Sequence, residues 1–318
     1  MTSMHQRFLR HVPLFIAAIV VAVATTTTSA YSASNNMAVA PDTIGSIDSI
    51  PRPALYDRDT LDGLSGRLWM KSMSFQPGDK GSIIARLFGD SAARTPGGVY
   101  EVREAPHSSA FTFVSLVPFS EKKKGMVGDY RMGTWPAERR VTDNQAYANP
   151  RGFIRVTPSN QDYRVSQHFR LGDFLTKDQT AVWPKYLVLQ EALVDKLELV
   201  IGALHKGGVK VNRMSVMSGF RTPQYNDRGV GAGGRSEVSR HQYGDAADVF
   251  VDNDYSGGMD DLNRDGRVNT EDARFLAKVV EQVEQQFPEL TGGIGVYPAT
   301  NAHGPFVHID VRGVKARW

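Results

Sequence analysis

The sequence contains no cysteine among its 318 residues, which excludes disulfide bridges and lipid attachment at a processed cysteine. It also lacks an excess of charge, because 37 Lys and Arg residues stand against 34 Asp and Glu residues. This balance gives no reason to expect nucleic acid or an anionic membrane surface as a partner. Apolar residues make up 41% of the chain, enough to fill ordinary hydrophobic cores.

The only apolar run near the N terminus is short. Arg7 and Arg10 precede an apolar stretch from Val12 to Ala24, and small residues that suit cleavage follow at 28–30. A membrane span needs about 20 apolar residues, so the pattern favours an export signal, with an uncleaved anchor as the alternative. We therefore predict a signal peptide at 1–30, a periplasmic or secreted location, and no stable membrane partner. Residues 31–53 have the composition of a linker.

Residues 54–160 carry short apolar runs separated by turn residues, which predicts a small, mostly-β domain. The predicted strand regions are Ser82–Phe88, Val99–Arg103, Phe111–Val117 and Gly128–Trp135. A lysine-rich segment, Glu121–Gly125, lies between the last two and is expected to form a solvated hairpin tip.

Residues 161–318 have a different pattern, which predicts an α+β domain with a central antiparallel sheet and flanking helices. Tyr163–Phe169 is predicted to be a short strand. Leucines at three- and four-residue spacing predict a helix from Leu187 to Leu204, ended by the glycines at 207 and 208. Met214–Ser218 is predicted to be a buried strand, and the glycine-rich segment Gly229–Arg235 a polar rim without the features of a phosphate loop.

Three residues in this region form a candidate zinc site. His241 precedes a turn at Gly244, and Asp248 follows in a predicted strand, Ala246–Val251, in which apolar residues alternate. His308 lies on a later predicted strand. Two imidazoles and one carboxylate are a ligand set that leaves a fourth zinc position for water, whose pKa zinc lowers for attack on a carbonyl. Three unrelated polar residues facing solvent are the alternative reading of this spacing.

Four motifs and the chain end resemble a known family. They are Ser218-Gly219-Phe220-Arg221-Thr222-Pro223, Ser239-x-His241-x-x-Gly244-x-Ala246-x-Asp248, Gly292-Gly293-Ile294-Gly295-Val296-Tyr297-Pro298, Phe306-Val307-His308-Ile309-Asp310 and a final Arg317-Trp318. In this order they resemble the murein endopeptidase K group of the D-Ala-D-Ala metallopeptidase superfamily, whose fold is shared with lysostaphin and the hedgehog domain. The resemblance covers roughly 163–318.

This resemblance implies a zinc metallopeptidase that cleaves amide bonds in the peptide stems or cross-links of peptidoglycan, with an endopeptidase favoured over a carboxypeptidase. It implies that His241, Asp248 and His308 bind zinc. Arg221 matches the arginine that holds substrate or the developing oxyanion, a role that a fixed guanidinium suits, although a structural salt bridge is the alternative. Ser239 matches a serine that orients substrate or the loop.

The sequence departs from many superfamily members at the general base. They carry Glu or His two or three residues before the last ligand, where this chain has Pro305 and Phe306. The candidates for proton transfer are His303 and Asp310, although Asp310 equally suits the role of orienting a ligand imidazole. The rival function is therefore a non-catalytic wall-binding or protein-interaction module that retains zinc as a structural ion.

A second predicted metal site is a twelve-residue loop at 261–272. The spacing of its oxygen-bearing residues and its glycine at the sixth position resemble an EF-hand calcium loop of the dockerin type. The predicted calcium ligands are Asp261, Asn263, Asp265, the backbone carbonyl of Arg267, Asn269 and Asp272. Apolar periodicity after the loop predicts a helix that begins near Thr270. An Asp- and Asn-rich turn without an ion is the alternative.

Overall fold

The central sheet of the protein brings the C-terminal half of the chain together around the candidate metal ligands. The computed structural model describes residues 70–73, 98–102, 111–231 and 234–318. The strands in the first part of this region are β1 (Met70–Met73), β2 (Gly98–Val102), β3 (Phe111–Ser115), β4 (Val117–Pro118), β5 (Met126–Val127), β6 (Tyr130–Arg131), β7 (Gly152–Val156) and β8 (Lys185–Leu187). Those in the second part are β9 (Met214–Ser218), β10 (Ala246–Val251), β11 (Gly293–Tyr297), β12 (Phe306–Asp310) and β13 (Ala316–Arg317).

The helices of the described chain are α1 (Glu191–Lys206), α2 (Pro223–Asp227) and α3 (Thr270–Gln286). The five-stranded sheet has the order β13-β11-β12-β10-β9, and every pair in it is antiparallel except β11 with β13. Helix α3 packs on β11 and β12 and also against α1. The fold is thus mixed α and β, with few helices and several sheets, and its central sheet is largely antiparallel as expected. No helix in the described residues is long and apolar enough to cross a bilayer.

Smaller sheets lie earlier in the chain. Strands β1, β3 and β2 form one sheet, β4, β7 and β8 another, and β5 with β6 a two-stranded hairpin. Strand β7 pairs with β8 through Ile154 and Leu187, so a hydrogen-bonded ladder crosses the boundary expected near residue 160. The predicted signal peptide, the linker and the run at 82–88 lie outside the described residues.

Three local predictions are wrong. The helix begins at Glu191 rather than Leu187, because Leu187 is used in the ladder with β7 and tertiary pairing overrides its helical spacing. The segment 163–169 folds back on itself through the bond from Leu171 N–H to the Tyr163 carbonyl instead of forming a strand. The run at 128–135 supplies only the two residues of β6.

The candidate site depends on how β10 is buried. All six residues of β10 are buried, so the strand is covered on both faces and not on one as its alternation predicts. Helices cover one side of the sheet, and the candidate ligand Asp248 faces a cleft on the other. A buried carboxylate in this position requires a charged or hydrogen-bonding partner.

Candidate metal centre

Strand register brings two of the three candidate ligands together. Asp248 of β10 and His308 of β12 are direct partners in the antiparallel ladder, so their side chains project on the same face. His241 reaches them from a short 3-10 turn, Arg240–Tyr243, which ends at Gly244. Gly244 has a φ of 66°, and a Cβ there would lie 2.2 Å from the carbonyl oxygen of Val188. Only glycine therefore fits the turn that presents His241.

The three ligand atoms converge at a spacing that fits a small metal ion. His241 Nε2 lies 3.2 Å from His308 Nδ1 and 3.2 Å from Asp248 Oδ1, and His308 Nδ1 lies 2.9 Å from Asp248 Oδ1. Metal bonds of about 2.0–2.1 Å in a tetrahedron separate ligand atoms by about 3.3 Å. All three residues are buried, with exposures of 2% to 6%.

The outer nitrogen of each imidazole is already occupied, which determines the nitrogen that faces the centre. His241 Nδ1 lies 2.7 Å from the carbonyl oxygen of Gly219 and must donate its proton to that oxygen. His308 Nε2 lies 3.1 Å from Asp310 Oδ2 and donates to this carboxylate. When a cation is bound, each ring can therefore direct the lone pair of its other nitrogen toward it, as a metal ligand requires. The donor set fits a cation bound by two nitrogens and one oxygen.

Burial and neighbouring charges shift the pKa values of the three candidate ligands. Burial alone would raise the pKa of Asp248, but the His241 and His308 imidazoles hold that pKa well below its usual value. Burial lowers the pKa of His241. Burial would also lower the pKa of His308, but hydrogen bonds to Asp248 and Asp310 raise it instead. The centre thus keeps its carboxylate ionised and one imidazole neutral.

Asp310 lies behind His308 and away from the three ligand atoms. Its carboxylate accepts bonds from His308, from the N–H of Gly293 at 2.7 Å, and from Nε of Arg312 at 2.9 Å. Burial would raise its pKa, but the bonds from His308 and Arg312 hold that pKa below its usual value. A fully buried carboxylate with these partners favours the orienting role that we considered over that of a general base.

Arg221 and the two histidines contact different oxygens of the Asp248 carboxylate. Its Nε donates to Ser218 Oγ at 2.7 Å, and its terminal nitrogen binds Asp248 Oδ2, whereas Oδ1 faces both imidazoles. Burial lowers the pKa of Arg221, and the Asp248 carboxylate opposes this shift. The guanidinium of Arg221 is therefore held in place beside the three candidate ligands, in the lining of the cleft.

The centre opens into a cleft of about 830 Å³. Arg221, Ser239 and His303 all line this cleft, as does Arg235 from the expected glycine-rich rim. His303 Nδ1 lies 2.8 Å from the carbonyl oxygen of Gly304, so its proton is on Nδ1 and Nε2 carries the lone pair. That tautomer is the one that a base at this position needs.

Comparisons with protein-family profiles, with curated proteins and with solved structures returned no match to this chain.

The predicted calcium loop adopts the expected turn, but its carboxylates do not converge on one point as the ligand atoms of His241, Asp248 and His308 do. Gly266, at the sixth position, has a φ of 84°, and its N–H donates to Asp261 Oδ2 at 2.8 Å. Asp272 instead directs its carboxylate to backbone N–H groups, including Leu262 at 2.9 Å and Asn269 at 2.8 Å. It thereby caps α3, the helix that begins at Thr270 as predicted.

In the described chain, one other trio of acidic or imidazole groups brings its ligand atoms within 4.8 Å, namely Asp252, Asp254 and Asp260. Asp252 is occupied by Ser215, Arg213 and the N–H of Gly257. The predicted loop does not form such a trio with its own carboxylates.

Residue spacing did not reveal two contributors to the centre. The Gly219 carbonyl that orients His241 has no sequence signal, because any residue supplies a carbonyl. Trp318 packs its ring 5.1 Å from that of His308 and donates its indole N–H to the Tyr297 hydroxyl at 2.7 Å. Its contact with a ligand depends on the pairing of β13 with β11, which no local pattern in the sequence indicates.

Proposed function

We propose that the protein is a zinc-dependent peptidoglycan hydrolase that cleaves amide bonds in peptide stems or cross-links. The observation that supports this most is the convergence of three ligand atoms, two imidazole nitrogens and one carboxylate oxygen, beside an open cleft. This set is typical of catalytic zinc sites, in which a protein supplies three ligands and leaves a fourth position open. The choice of peptidoglycan and of an endopeptidase rests on the resemblance to the murein endopeptidase K group.

His241, Asp248 and His308 would hold the ion. When bound, zinc would supply the Lewis acidity that polarises a carbonyl and acidifies a water. Arg221 faces the same cleft and is held by Ser218 and Asp248, so its guanidinium can bind negative charge that develops on a substrate oxygen.

Proton transfer is assigned to His303. The lone pair on its Nε2 can accept a proton, and its position in the cleft wall makes it accessible to substrate. Asp310 keeps His308 in the tautomer that a metal needs, and Ser239, which lines the cleft, would orient the substrate or the loop. Export of the mature chain would bring these groups to peptidoglycan in the periplasm or outside the cell.

Calcium binding by the loop at 261–272 is part of the same proposal. The Asp261 carboxylate already accepts the N–H groups of Asp265 and Gly266, as the first ligand of such a loop does. Because the loop joins β10 to α3, calcium would order the connection between Asp248 and His308. Calorimetry with calcium should give binding heat with the parent chain and none with Asp261→Ala.

The decisive experiment combines metal analysis with digestion of purified muropeptides. We expect about one zinc per chain and new amine termini among the products. His241→Ala should remove both while thermal unfolding stays cooperative, and His205→Ala is the matched control because His205 does not line the cleft and its Nε2 lies 2.9 Å from the Val211 carbonyl oxygen. Zinc without cleavage would instead support the structural-zinc, wall-binding alternative, and cleavage by a folded, metal-free His241→Ala chain would refute the assignment.

A further inference from the structure

A tyrosine of β11 lies on the same face of the central sheet as the metal ligands. Gly295 is the direct partner of His308 in the antiparallel ladder between β11 and β12, and the side chains of direct partners share one face. Tyr297 lies two residues beyond Gly295, so its side chain projects on that face as well. It is a diagonal neighbour of His308, at a separation of about 7–8 Å that an aromatic side chain can bridge. Tyr297 accordingly lines the cleft of the metal centre.

Two contacts hold the side chain of Tyr297 in place. Its ring stacks on that of Phe306, with ring centres 4.6 Å apart and planes that differ by 6°. Its hydroxyl oxygen accepts the indole N–H of Trp318 at 2.7 Å. The indole lies over Gly295, where a Cβ would overlap it, and its ring centre is 5.1 Å from that of His308. The hydroxyl is therefore tied through the indole to a ligand imidazole.

The proton of the Tyr297 hydroxyl is still available for donation. An indole N–H can only donate, so the tyrosine oxygen is the acceptor in its bond with Trp318. Within the described residues, that bond is the one hydrogen bond of this hydroxyl. A hydroxyl that accepts a hydrogen bond is also a stronger donor, because successive hydrogen bonds polarise one another. Tyr297 can thus offer its O–H to a group that enters the cleft.

Tyr297 and Arg221 reach the cleft from opposite sides of the ligands. In the sheet, β12 and β10 carry His308 and Asp248, whereas Tyr297 is on β11 and Arg221 follows β9, so the two donors flank the ligand strands. A chain of contacts connects them across the centre. Arg221 binds Asp248, whose Oδ1 lies 2.9 Å from Nδ1 of His308, and His308 packs beside Trp318. Donors from both sides can therefore meet at one substrate oxygen.

We propose that Tyr297 is a further catalytic residue, whose hydroxyl donates a hydrogen bond to the carbonyl oxygen of the scissile amide, and that Trp318 positions it. The inference rests on the proposed hydrolase function. It gives a role to two residues of the chain's motifs, Tyr297 and Trp318, that the ligands and Arg221 leave unexplained.

The hydrogen bond strengthens as the reaction proceeds. When water adds to the amide carbon, a C–O bond forms and the carbonyl π electrons move to the oxygen, where Arg221 and Tyr297 bind the new negative charge. The electron pair then re-forms the carbonyl as the C–N bond breaks, and the amine leaves with the proton that His303 accepted from the water. Tyr297 keeps its own proton throughout, so it stabilises charge and is not a general acid.

Kinetics of the zinc-loaded chain on muropeptides test the role of Tyr297. Tyr297→Phe should lower kcat about 100-fold, as loss of one oxyanion donor does, with KM within about twofold of the parent and zinc content unchanged. Tyr255→Phe is the matched control, because Tyr255 is 71% exposed and does not line this cleft. An unchanged kcat, or an effect on KM alone, would overturn the proposal. Loss of zinc in Tyr297→Phe would also overturn it, since it would indicate a structural tyrosine.

Binding of a transition-state analogue gives a measurement that does not depend on turnover. The probe is a phosphinic peptide, in which a tetrahedral, negatively charged group replaces the scissile amide, and its affinity is measured by calorimetry. Tyr297→Phe should weaken this binding by about the same factor as it lowers kcat/KM. Equal affinity for the parent and the variant would contradict the assigned hydrogen bond.

The positioning role of Trp318 is tested in the metal-free chain. Trp318→Phe identifies the indole N–H resonance of Trp318 by its disappearance from a ¹⁵N-correlated spectrum, and Tyr297→Phe should shift that resonance upfield. In the zinc-loaded chain, Trp318→Phe should lower kcat about fivefold, the value of one neutral hydrogen bond. An unmoved resonance would refute the positioning role. A parent chain without hydrolysis would refute the proposed function, whereas hydrolysis that Tyr297→Phe leaves unchanged would refute this inference alone.

Discussion

Replacing Asp310 by asparagine tests whether this carboxylate orients a zinc ligand. One oxygen, Oδ1, accepts the N–H groups of Gly293 and Arg312 at 2.7 and 3.1 Å, and the amide oxygen of asparagine can take over both bonds. The other oxygen, Oδ2, accepts the proton of His308 Nε2. In Asp310→Asn an NH₂ group faces that N–H. The conflict with His308 is relieved when His308 moves its proton to Nδ1, the nitrogen that a metal needs, whereas the Arg312 guanidinium, which also donates to Oδ2, has to turn away.

The expected magnitude follows from that conflict. Zinc binding returns the proton to Nε2 and costs a charge-assisted hydrogen bond, which is worth about 1.5–3 kcal/mol. Loss of a partner that orients a ligand typically lowers metal affinity about 10- to 100-fold, or about 1.4–2.8 kcal/mol. The two estimates agree, so we expect the apparent Kd for zinc to rise 10- to 100-fold at neutral pH.

The assay is competition for zinc with a chromophoric chelator. The control is Asp245→Asn, because Asp245 is likewise buried, at 1% exposure against 0% for Asp310, and is bound to an arginine, Arg240, but has no hydrogen bond to a ligand imidazole among the described residues. Both variants should lose thermal stability, and only Asp310→Asn should lose zinc affinity. An Asp310→Asn chain that folds and keeps the parent Kd would refute the argument that Asp310 sets the tautomer of His308.

Three further predictions follow from buried or strained positions. Lys196→Ala should lower the free energy of unfolding by about 1–3 kcal/mol, because it removes the 2.6 Å partner of the buried Glu284, which keeps Arg317 and the N–H of Gly292, and Lys196→Met should recover part of this loss in a denaturant titration. Gly244→Ala should destabilise the chain by at least about 1 kcal/mol, since its Cβ overlaps a backbone carbonyl, and should also weaken zinc binding through His241; unchanged melting would contradict the assigned turn. Arg221→Ala should lower kcat about 100- to 1000-fold with zinc content unchanged, whereas an equal loss of zinc would indicate a purely structural arginine.

The convergence of the three ligands could be anticipated because it depends on local rules. His308 and Asp248 sit on strands whose alternation is visible in the sequence, and the ladder places them directly opposite each other. The turn that presents His241 is marked by Gly244, whose positive φ the sequence suggests. The helix that ends near residue 206 follows the leucine spacing, apart from its first turn.

Other features depend on contacts between distant segments. Leu187 joins a ladder with Ile154, and no periodicity within either segment reveals the pairing. Lys196 lies on the buried face of α1 and donates to the Asp310 carbonyl at 2.7 Å, although lysine at a core position reads as a break in the apolar pattern. Both cases reflect long-range partners that override local preference.

The two oxygens of the Asp248 carboxylate have different partners, and this difference affects which metal ions the centre can bind. Because Oδ2 is held by Arg221, only Oδ1 is available, and the aspartate can act only as a monodentate ligand. Calcium prefers six to eight oxygen ligands, often including a bidentate carboxylate, and magnesium keeps an octahedral shell of oxygens. A site that offers two nitrogens and one oxygen favours a small ion of tetrahedral preference. Arg221 thereby disfavours binding of the hard alkaline-earth ions calcium and magnesium at this centre.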